Sequence, residues 1–230
     1  MDEFDAVCFD LDRTLCRYRR PAGELLADAF EAVGVEPFFS VEEFGAAFDT
    51  YADAAPDIET LRRRCFRALA SEHGIDPTIG EEVAAVYSAH RDPAAVEALP
   101  GALEIVEHTN ARYRTALITN GFAPVQARKV DAIGVGSLFD QIVYAGTDTA
   151  FKPDIEPFQF VANALSVEPG KMVHIGDSLR HDIAGANQAG LASVWISGLD
   201  IHNETPQTSD IQPDFVIETI SDLIPYPWER

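Results

Sequence analysis

The chain has little lysine, little cysteine and no long apolar run. Of its 230 residues only Lys129, Lys152 and Lys171 are lysines, and three are cysteines. An odd number of cysteines without a Cys-x-x-Cys spacing argues against a disulfide framework and against a zinc site. No run of about 18 apolar residues occurs, so we expect no transmembrane helix and no membrane partner.

The first residues also lack the positive charge with which a secretion signal begins. Met1–Asp5 is acidic instead, and we therefore expect a cytoplasmic protein. The sequence leaves the oligomeric state open.

Positive charge is scarce throughout, with 17 Lys and Arg against 38 Asp and Glu and a formal net charge of -21. A surface so acidic and so poor in lysine is typical of halophilic proteins, which work in molar intracellular salt. Nucleic acid is excluded as a partner, because its binding requires a basic surface. A disordered acidic chain is the alternative, but a hydrophobic content of 47% and 14 phenylalanines favour a packed core.

Short apolar runs alternate with helical patterns over most of the chain. The runs that predict strands are 4–10, 116–119, 141–144, 172–175, 193–196 and 215–217. The patterns that predict helices are 102–112, 123–133, 155–166, 180–189 and 219–224. Such alternation predicts an α/β fold with a doubly wound, Rossmann-like parallel sheet. The polar segment 198–213 is predicted to be a surface loop.

Residues 22–90 interrupt this alternation. They contain apolar stripes at helical spacing and no strand-like run, which predicts four packed helices. We therefore expect an α/β core formed by residues 1–18 and 95–230, with a helical domain of residues 19–94 inserted after the first strand.

Polar residues follow the predicted strands at the point where each strand ends. Ligands of open α/β sheets bind outside the carboxyl ends of the strands, so these residues are expected to converge on one crevice. The candidates are Asp10, Asp12, Thr119, Asn120, Lys152, Asp177 and Asp182.

Several carboxylates gathered in one crevice repel one another. Two unit charges about 4 Å apart interact by about 4 kcal/mol at an effective dielectric constant near 20. A hard divalent cation relieves that repulsion, and carboxylates without a His or Cys cluster favour Mg²⁺ over zinc. Because Mg²⁺ usually shares its site with a substrate phosphate, the pattern points to phosphoryl chemistry.

These residues form four motifs in a recognisable order. The segment Asp10-Leu11-Asp12-Arg13-Thr14 resembles the D-x-D-x-T signature of the haloacid dehalogenase superfamily. Thr119, Lys152 and Gly176-Asp177-x4-Asp182 are similar to its second, third and fourth motifs. The resemblance covers roughly residues 1–20 and 95–230, and it implies that the helical insertion is a C1-type cap.

The resemblance implies a phosphatase that hydrolyses a small phosphorylated metabolite. Asp10 attacks phosphorus and forms an aspartyl phosphate. Asp12 protonates the leaving oxygen and then activates water. Thr119 and the Asn120 amide hold phosphate oxygens, and Lys152 neutralises charge on nucleophile and phosphate.

The resemblance also implies a Mg²⁺ site. Asp10 and Asp177 are its ligands, together with the backbone carbonyl of Asp12. Asp182 supports the metal directly or through Asp177.

The Thr-Asn-Gly form of the second motif, with Gln126 downstream, is most similar to family members that act on nucleotide monophosphates, sugar phosphates or acyl-sugar phosphates. Arg13 departs from the glycine that the family often has at that position, where a turn with positive φ would favour glycine.

Three alternatives stay open. A 2-haloacid dehalogenase has the same fold, but there the position of Asp12 is not an acid, because halide needs no protonation. A phosphomutase shares the acid/base aspartate. A non-catalytic binding protein is expected to have lost Asp10, Lys152 or Asp177, and the chain keeps all three.

Two further groups of residues receive a structural interpretation. His174 is interpreted as a packed strand residue and His181 as an exposed helix residue. The basic run of Arg62, Arg63, Arg64 and Arg67 is interpreted as a solvated helix face that pairs with nearby carboxylates.

Overall fold

The structure is a computed structural model that describes residues 4–199 and 210–229. The chain divides into two compact units, one of residues 1–17 and 96–230 and the other of residues 18–95. Most of the loop predicted at 198–213 lies outside the described residues. Within the described ranges, no helix combines the length and the apolar character that crossing a bilayer requires.

Strands in the described residues are short, and most of them are buried. In chain order they are β1 (Ala6–Phe9), β2 (Cys16–Tyr18), β3 (Val96–Ala98), β4 (Arg114–Asn120), β5 (Gln141–Ala145), β6 (Met172–Gly176), β7 (Ala192–Ile196) and β8 (Phe215–Ile217). Six of them form one sheet in the order β5-β4-β1-β6-β7-β8, and every resolved pairing in it is parallel. Strands β2 and β3 pair separately.

Helices connect the strands of the large sheet and form the inserted segment. In chain order they are α1 (Ala22–Val33), α2 (Val41–Tyr51), α3 (Ile58–Glu72), α4 (Pro77–His90), α5 (Ala102–Asn110), α6 (Ala123–Ile133), α7 (Glu156–Leu165) and α8 (Ala184–Ala189). Helices α7 and α8 pack with alternate residues of β1 and β4 and with Met172 of β6 in one apolar cluster. The sheet with its flanking helices is the doubly wound α/β architecture that the alternating pattern predicts.

The order of the strands places β1 at the centre of the sheet. From β1 the chain proceeds outward to β4 and β5, and then returns to the other side of β1 as β6. The direction of winding therefore reverses next to β1, and such a reversal opens a crevice at the carboxyl ends of the strands.

Two predicted helices take a different form. The segment predicted as a helix over 180–189 begins with a π-helical turn, Leu179–Ile183, and only Ala184–Ala189 is α-helical. Residues 219–224, also predicted to be a helix, form a short 3₁₀ turn at Ile220–Leu223. That turn begins with a capping box between Thr219 and Asp222. Because the two residues are three apart, their hydrogen bonds span a single turn.

The unit of residues 18–95 contains α1 to α4. Its interior contains aromatic contacts in which Phe44 packs edge-to-face against Phe66 and Tyr87, and in which the rings of Phe66 and Tyr87 are tilted relative to each other. The basic run on α3 is only partly the solvated face predicted for it. Arg67 pairs with Glu81 at 2.6 Å, but Arg62 is buried, with its guanidinium 5.5 Å from the centre of the Tyr87 ring.

Candidate active site

The candidate site lies at the carboxyl ends of the three central strands. Phe9, the last residue of β1, lies opposite Leu117 of β4 and Ile175 of β6. The next residue, Asp10, is fixed by its backbone N–H, which donates to the Ile175 carbonyl at 2.9 Å. The register of the sheet therefore brings the polar residues that follow β1, β4 and β6 into one small region.

A buried lysine joins the ends of these strands. Lys152, from the loop before α7, is only 2% exposed. Its Nζ donates to Asp10 Oδ1 at 2.8 Å, to Asp182 Oδ1 at 2.6 Å and to the Ile118 carbonyl at 2.7 Å. These three acceptors match the three donors of an ammonium group. Burial alone would lower the pKa of Lys152, but the two carboxylates outweigh it and raise that pKa, so the side chain stays charged.

The carboxylate of Asp182 is held from three directions. Its Oδ1 also lies 3.1 Å from His174 Nε2, and its Oδ2 accepts from the Ser178 backbone N–H at 3.0 Å. Burial would raise the pKa of Asp182, but Lys152 and His174 outweigh it and lower that pKa below its ordinary value. A Cβ at Gly176 would overlap the Asp182 carboxyl group, so glycine there is what lets the carboxylate approach the strand.

His174 is therefore more than the packed strand residue that the sequence indicates. It is fully buried on β6, and burial lowers its pKa, so it is a neutral imidazole at physiological pH. Its Nε2 faces Asp182, and the tautomer with the proton on Nε2 donates to that carboxylate. His181, interpreted as an exposed helix residue, is partly buried, and its Nδ1 lies 3.3 Å from the Ser178 hydroxyl.

Asp177 follows β6 and contacts Arg13. The Arg13 Nε lies 2.7 Å from Asp177 Oδ2, an ion pair without hydrogen-bond geometry. The backbone carbonyl of Asp177 accepts from Trp195 Nε1 at 2.9 Å. Arg13 adopts a φ of 63°, which is the conformation that favours glycine. This left-handed conformation costs an L-residue about 1–2 kcal/mol, and the ion pair with Asp177 offsets part of that cost.

Asp10, Asp177 and Asp182 form a group suited to a metal ion. One carboxylate oxygen from each lies within 4.8 Å of the other two, and all three residues are buried. Burial, opposed by Lys152, raises the pKa of Asp10 to about 6, and repulsion from Asp182 contributes to the rise. Burial also raises the pKa of Asp177, partly offset by Arg13. A set of carboxylate oxygens whose negative charges destabilise one another fits a hard divalent cation such as Mg²⁺.

Thr119 and Asn120 end β4. The side chain of Asn120 is engaged on both of its polar atoms, donating to the Lys152 carbonyl at 2.9 Å and accepting from the Lys152 N–H at 2.8 Å. It therefore fixes the backbone from which Lys152 reaches the carboxylates. The Thr119 hydroxyl lies 2.6 Å from Gln126 Nε2, which donates to it.

The carboxylate of Asp12 is held by two side chains of α6. It accepts from Lys129 Nζ at 2.9 Å on Oδ1 and 2.7 Å on Oδ2, and from Gln126 Nε2 at 2.9 Å on Oδ2. Burial would raise the pKa of Asp12, but the Lys129 ammonium and the Gln126 hydrogen bond outweigh it and lower that pKa. The predicted metal ligand from Asp12 is its backbone carbonyl and not this carboxylate.

The structure thus groups Asp10, Asp177 and Asp182 with Lys152, which Asn120 holds, and it links Asp12 to Thr119 through Gln126. It adds four residues that sequence reasoning did not place in the site. They are Arg13, Gln126, Lys129 and His174. One signal in the sequence sets two of them apart, although it does not say what they contact. Gln126 and Lys129 are three residues apart on the helix that follows Thr119, so they share one face of it, and Lys129 is one of only three lysines in the chain.

Comparisons with known proteins identify the family of the chain. A family model described as haloacid dehalogenase-like hydrolase matches residues 4–190. The glyceraldehyde 3-phosphate phosphatase of Methanopyrus kandleri is 28% identical over 227 residues, which cover 95% of each chain. The phosphoserine phosphatase of Thermus thermophilus is 26% identical over 247 residues, covering 94% of this chain and 96% of that one.

A solved structure of a different activity is also similar. The 2-haloacid dehalogenase of Pseudomonas syringae has a TM-score of 0.62 and 27% identity, with 96% of each chain covered. Both activities occur on this fold, and the family model spans well over half of the chain. The chain therefore belongs to the haloacid dehalogenase-like hydrolases.

Proposed function

We propose that this hydrolase is a Mg²⁺-dependent phosphatase that cleaves a small phosphomonoester through an aspartyl phosphate on Asp10. The observation that carries the proposal is the surroundings of Asp10. Its carboxylate is bonded to the Lys152 ammonium and lies beside Asp177 and Asp182, in a group that fits a divalent cation. A carboxylate that attacks a phosphate dianion meets strong repulsion, and cationic groups at that position offset it.

In the first step an oxygen of Asp10 forms a bond to phosphorus while the bond from phosphorus to the ester oxygen breaks. Asp12, when protonated, donates its proton to that oxygen, and the alcohol leaves. In the second step Asp12 removes a proton from water, which attacks phosphorus. The bond from phosphorus to Asp10 breaks, so inorganic phosphate and the Asp10 carboxylate are released.

Mg²⁺, when bound, supplies positive charge beside the transferred phosphoryl group. Asp10, Asp177 and Asp182 would hold it, together with the Asp12 backbone carbonyl. In this proposal Thr119 and the backbone amide of Asn120 bind phosphate oxygens. The Asn120 side chain holds Lys152 in place at the same time.

Two of the relatives that cover nearly the whole chain support a small substrate. Their names state phosphatase activity on glyceraldehyde 3-phosphate and on phosphoserine. Both compounds are compact phosphomonoesters, and we propose a substrate of that class for this chain.

A 2-haloacid dehalogenase is the second candidate, since a solved dehalogenase is 27% identical to the chain. Asp12 distinguishes the two activities, because a departing halide needs no proton and therefore no acid. The hydrogen bonds from Lys129 and Gln126 hold the Asp12 carboxylate in one place, and this supports the phosphatase.

Hydrolysis of p-nitrophenyl phosphate by the wild type and by Asp10→Asn tests the proposal. Asp10→Asn should fold, as measured by circular dichroism, and should have less than about 1% of wild-type turnover. Asp5→Asn is the matched control, because Asp5 is an exposed carboxylate just before β1, at the opposite end from Asp10. Turnover of Asp10→Asn above that level, or release of halide from a 2-haloacid by the wild type in EDTA, would refute the proposal.

A further inference from the structure

Lys129 and Gln126 contact a reacting group, yet the proposed steps give neither of them a role. We propose that Lys129, assisted by Gln126, is a positioning residue that fixes the Asp12 carboxylate at one place for both proton transfers. The two side chains are called the Asp12 clamp below. The inference rests on the proposed function, in which Asp12 acts first as an acid and then as a base.

The contacts of the clamp restrict the rotation of the carboxylate. Lys129 Nζ lies 2.9 Å from Asp12 Oδ1 and 2.7 Å from Oδ2, so one ammonium bridges both oxygens. Gln126 Nε2 donates to Oδ2 from a second position, at 2.9 Å. A donor to one oxygen alone would leave the carboxyl plane free to turn, whereas these three contacts fix both its position and its plane.

The clamp also relates Asp12 to the end of β4. The same Gln126 Nε2 donates to the Thr119 hydroxyl at 2.6 Å, so the acid/base group and the proposed phosphate-binding residue share one donor. Gly121 provides the space for it, since a Cβ there would lie 3.0 Å from Gln126 Cδ. Its φ of 138° is a conformation that side chains rarely adopt.

A purely stabilising ion pair does not explain the clamp. The Lys129 side chain is only 6% exposed, whereas the Asp12 side chain is 34% exposed. Lysine normally keeps its ammonium in water, and holding the long side chain in one conformation costs entropy. Asp12 stays partly solvated, so it does not need an ammonium merely to compensate a buried charge. Exposure of Asp12 on one side and its immobilisation on the other suit a group that gives up and takes back a proton at one fixed place.

Positioning of this kind affects the rate more than binding. A displacement of a catalytic group by about 1 Å costs about 10²-fold in rate. Lys129 binds both carboxylate oxygens of the acid/base group, so we expect its loss to lower kcat with little change in KM.

The experiment compares Lys129→Met with the wild type and with Lys171→Met, a control that removes an exposed lysine on the loop before β6. We expect Lys129→Met to lower kcat by about 10-fold to 100-fold and to leave KM within about threefold. The loss should be larger for glycerol phosphate, whose alkoxide leaving group needs an acid, than for p-nitrophenyl phosphate. With the latter, the burst of nitrophenolate should become larger relative to the steady-state rate, because water attack still needs a base.

Two further variants separate positioning from folding. Lys129→Arg, which keeps a cation, should recover part of the activity lost in Lys129→Met. Gln126→Leu should show the same preferential loss with glycerol phosphate. If Lys129→Met fails to fold, Gln126→Leu decides the question alone.

Each outcome of the experiment has a defined meaning. Wild-type rates in Lys129→Met, or an equal loss with both substrates accompanied by a raised KM, would overturn the inference. If the wild type hydrolyses p-nitrophenyl phosphate and Asp10→Asn does not, such a result refutes the role of Lys129 alone. If the wild type hydrolyses no phosphate ester, the proposed function fails and the role of the clamp fails with it.

Discussion

Replacement of Lys152 by methionine is the sharpest test of how the charges in the site are balanced. The ammonium lies within 2.8 Å of both Asp10 and Asp182, in surroundings from which water is almost excluded. Methionine has a similar length without the charge, so the substitution leaves two neighbouring buried carboxylates without their shared cation. Activity should be lost, and the stability of the protein should fall as well.

The size of the effect follows from the depth of the site. Breaking a buried ion pair by removing one partner costs about 3–5 kcal/mol, because the remaining charge is uncompensated. For a chain of this size each kcal/mol corresponds to about 2–4 °C in the midpoint of thermal unfolding. We therefore expect Lys152→Met to melt about 6–20 °C below the wild type at pH 8 in EDTA.

The difference should depend on pH. In the wild type the pKa of Asp182 is depressed, so its interactions stabilise the fold above the ordinary carboxyl pKa of about 3.9. Without Lys152 that pKa rises. The pKa of Asp10, already raised to about 6, rises further. A carboxyl group with a raised pKa in the folded state favours folding at low pH, and that contribution is lost as the pH rises through the raised pKa. The deficit of Lys152→Met should therefore be largest at pH 8 and shrink as the pH falls below about 6.

Thermal melts of the wild type, Lys152→Met and Lys171→Met across this pH range, in EDTA and at constant KCl, are the assay. The control should stay within about 2 °C of the wild type, because Lys171 is exposed. A Lys152→Met melt as high as that of the control at pH 8 would refute the reasoning. A large deficit that is equal at pH 5 and pH 8 would also refute it.

Three further predictions concern the reaction and its conditions. Activity should vanish in EDTA and return with Mg²⁺ but not with Ca²⁺, whose looser coordination misplaces the attack; full activity in EDTA would contradict this. Asp12→Ala should still form the aspartyl phosphate from p-nitrophenyl phosphate but hydrolyse it slowly, which burst kinetics would reveal, whereas equal loss of both steps would count against the dual role. The acidic groups behind the net charge of -21 repel one another and an anionic substrate, and salt screens both repulsions. The value of kcat/KM should therefore be roughly several-fold higher at about 2 M KCl than at about 0.1 M, and the melting temperature should rise too. A protein equally stable and active in dilute buffer would show that its acidity has another cause.

The sequence predicted the elements of the core because their signals are local. Each strand of the large sheet is a short apolar run. The polar residues that follow β1, β4 and β6 come directly after these runs in the sequence, so their positions at the strand ends are predictable. The positive φ of Arg13 was also predictable, since glycine is common at that position in similar motifs. Arg13 stands where glycine is common, and its ion pair with Asp177 offsets part of the cost of its positive φ.

The Asp12 clamp was not predicted, because it depends on the direction of side chains and not on their type. Lys129 is separated from Asp12 by more than a hundred residues, and its helical spacing from Gln126 says nothing about which element their shared face meets. His174 was missed for a related reason. A histidine in an apolar strand has the same sequence signal whether it only fills space or also donates to Asp182.

Two predicted helices were wrong in part for a different reason. A 3₁₀ turn at 220–223 and a π turn at 179–183 replace parts of the predicted helices. Apolar spacing over a few residues fits each of these windings about as well as an α-helix. Such spacing does not contain the side-chain contacts that Asp182 makes with the Ser178 N–H in its own turn and with His174 on β6.

The two ends of the inserted helical unit lie side by side, and this affects how easily its length and sequence can change. Strands β2 and β3 pair where the chain leaves and rejoins the sheet-containing unit, and the Arg19 N–H donates to the Ala95 carbonyl at 3.0 Å. The entropy of closing a loop grows only with the logarithm of its length, by about 0.6 kcal/mol for each doubling. A segment whose two ends are already fixed side by side can therefore be lengthened, shortened or exchanged at little cost to the sheet. Within the described residues, the carboxylates that fit a metal, Asp10, Asp177 and Asp182, lie outside that segment, so a lineage carrying this fold could replace its helices while that group of carboxylates stays the same.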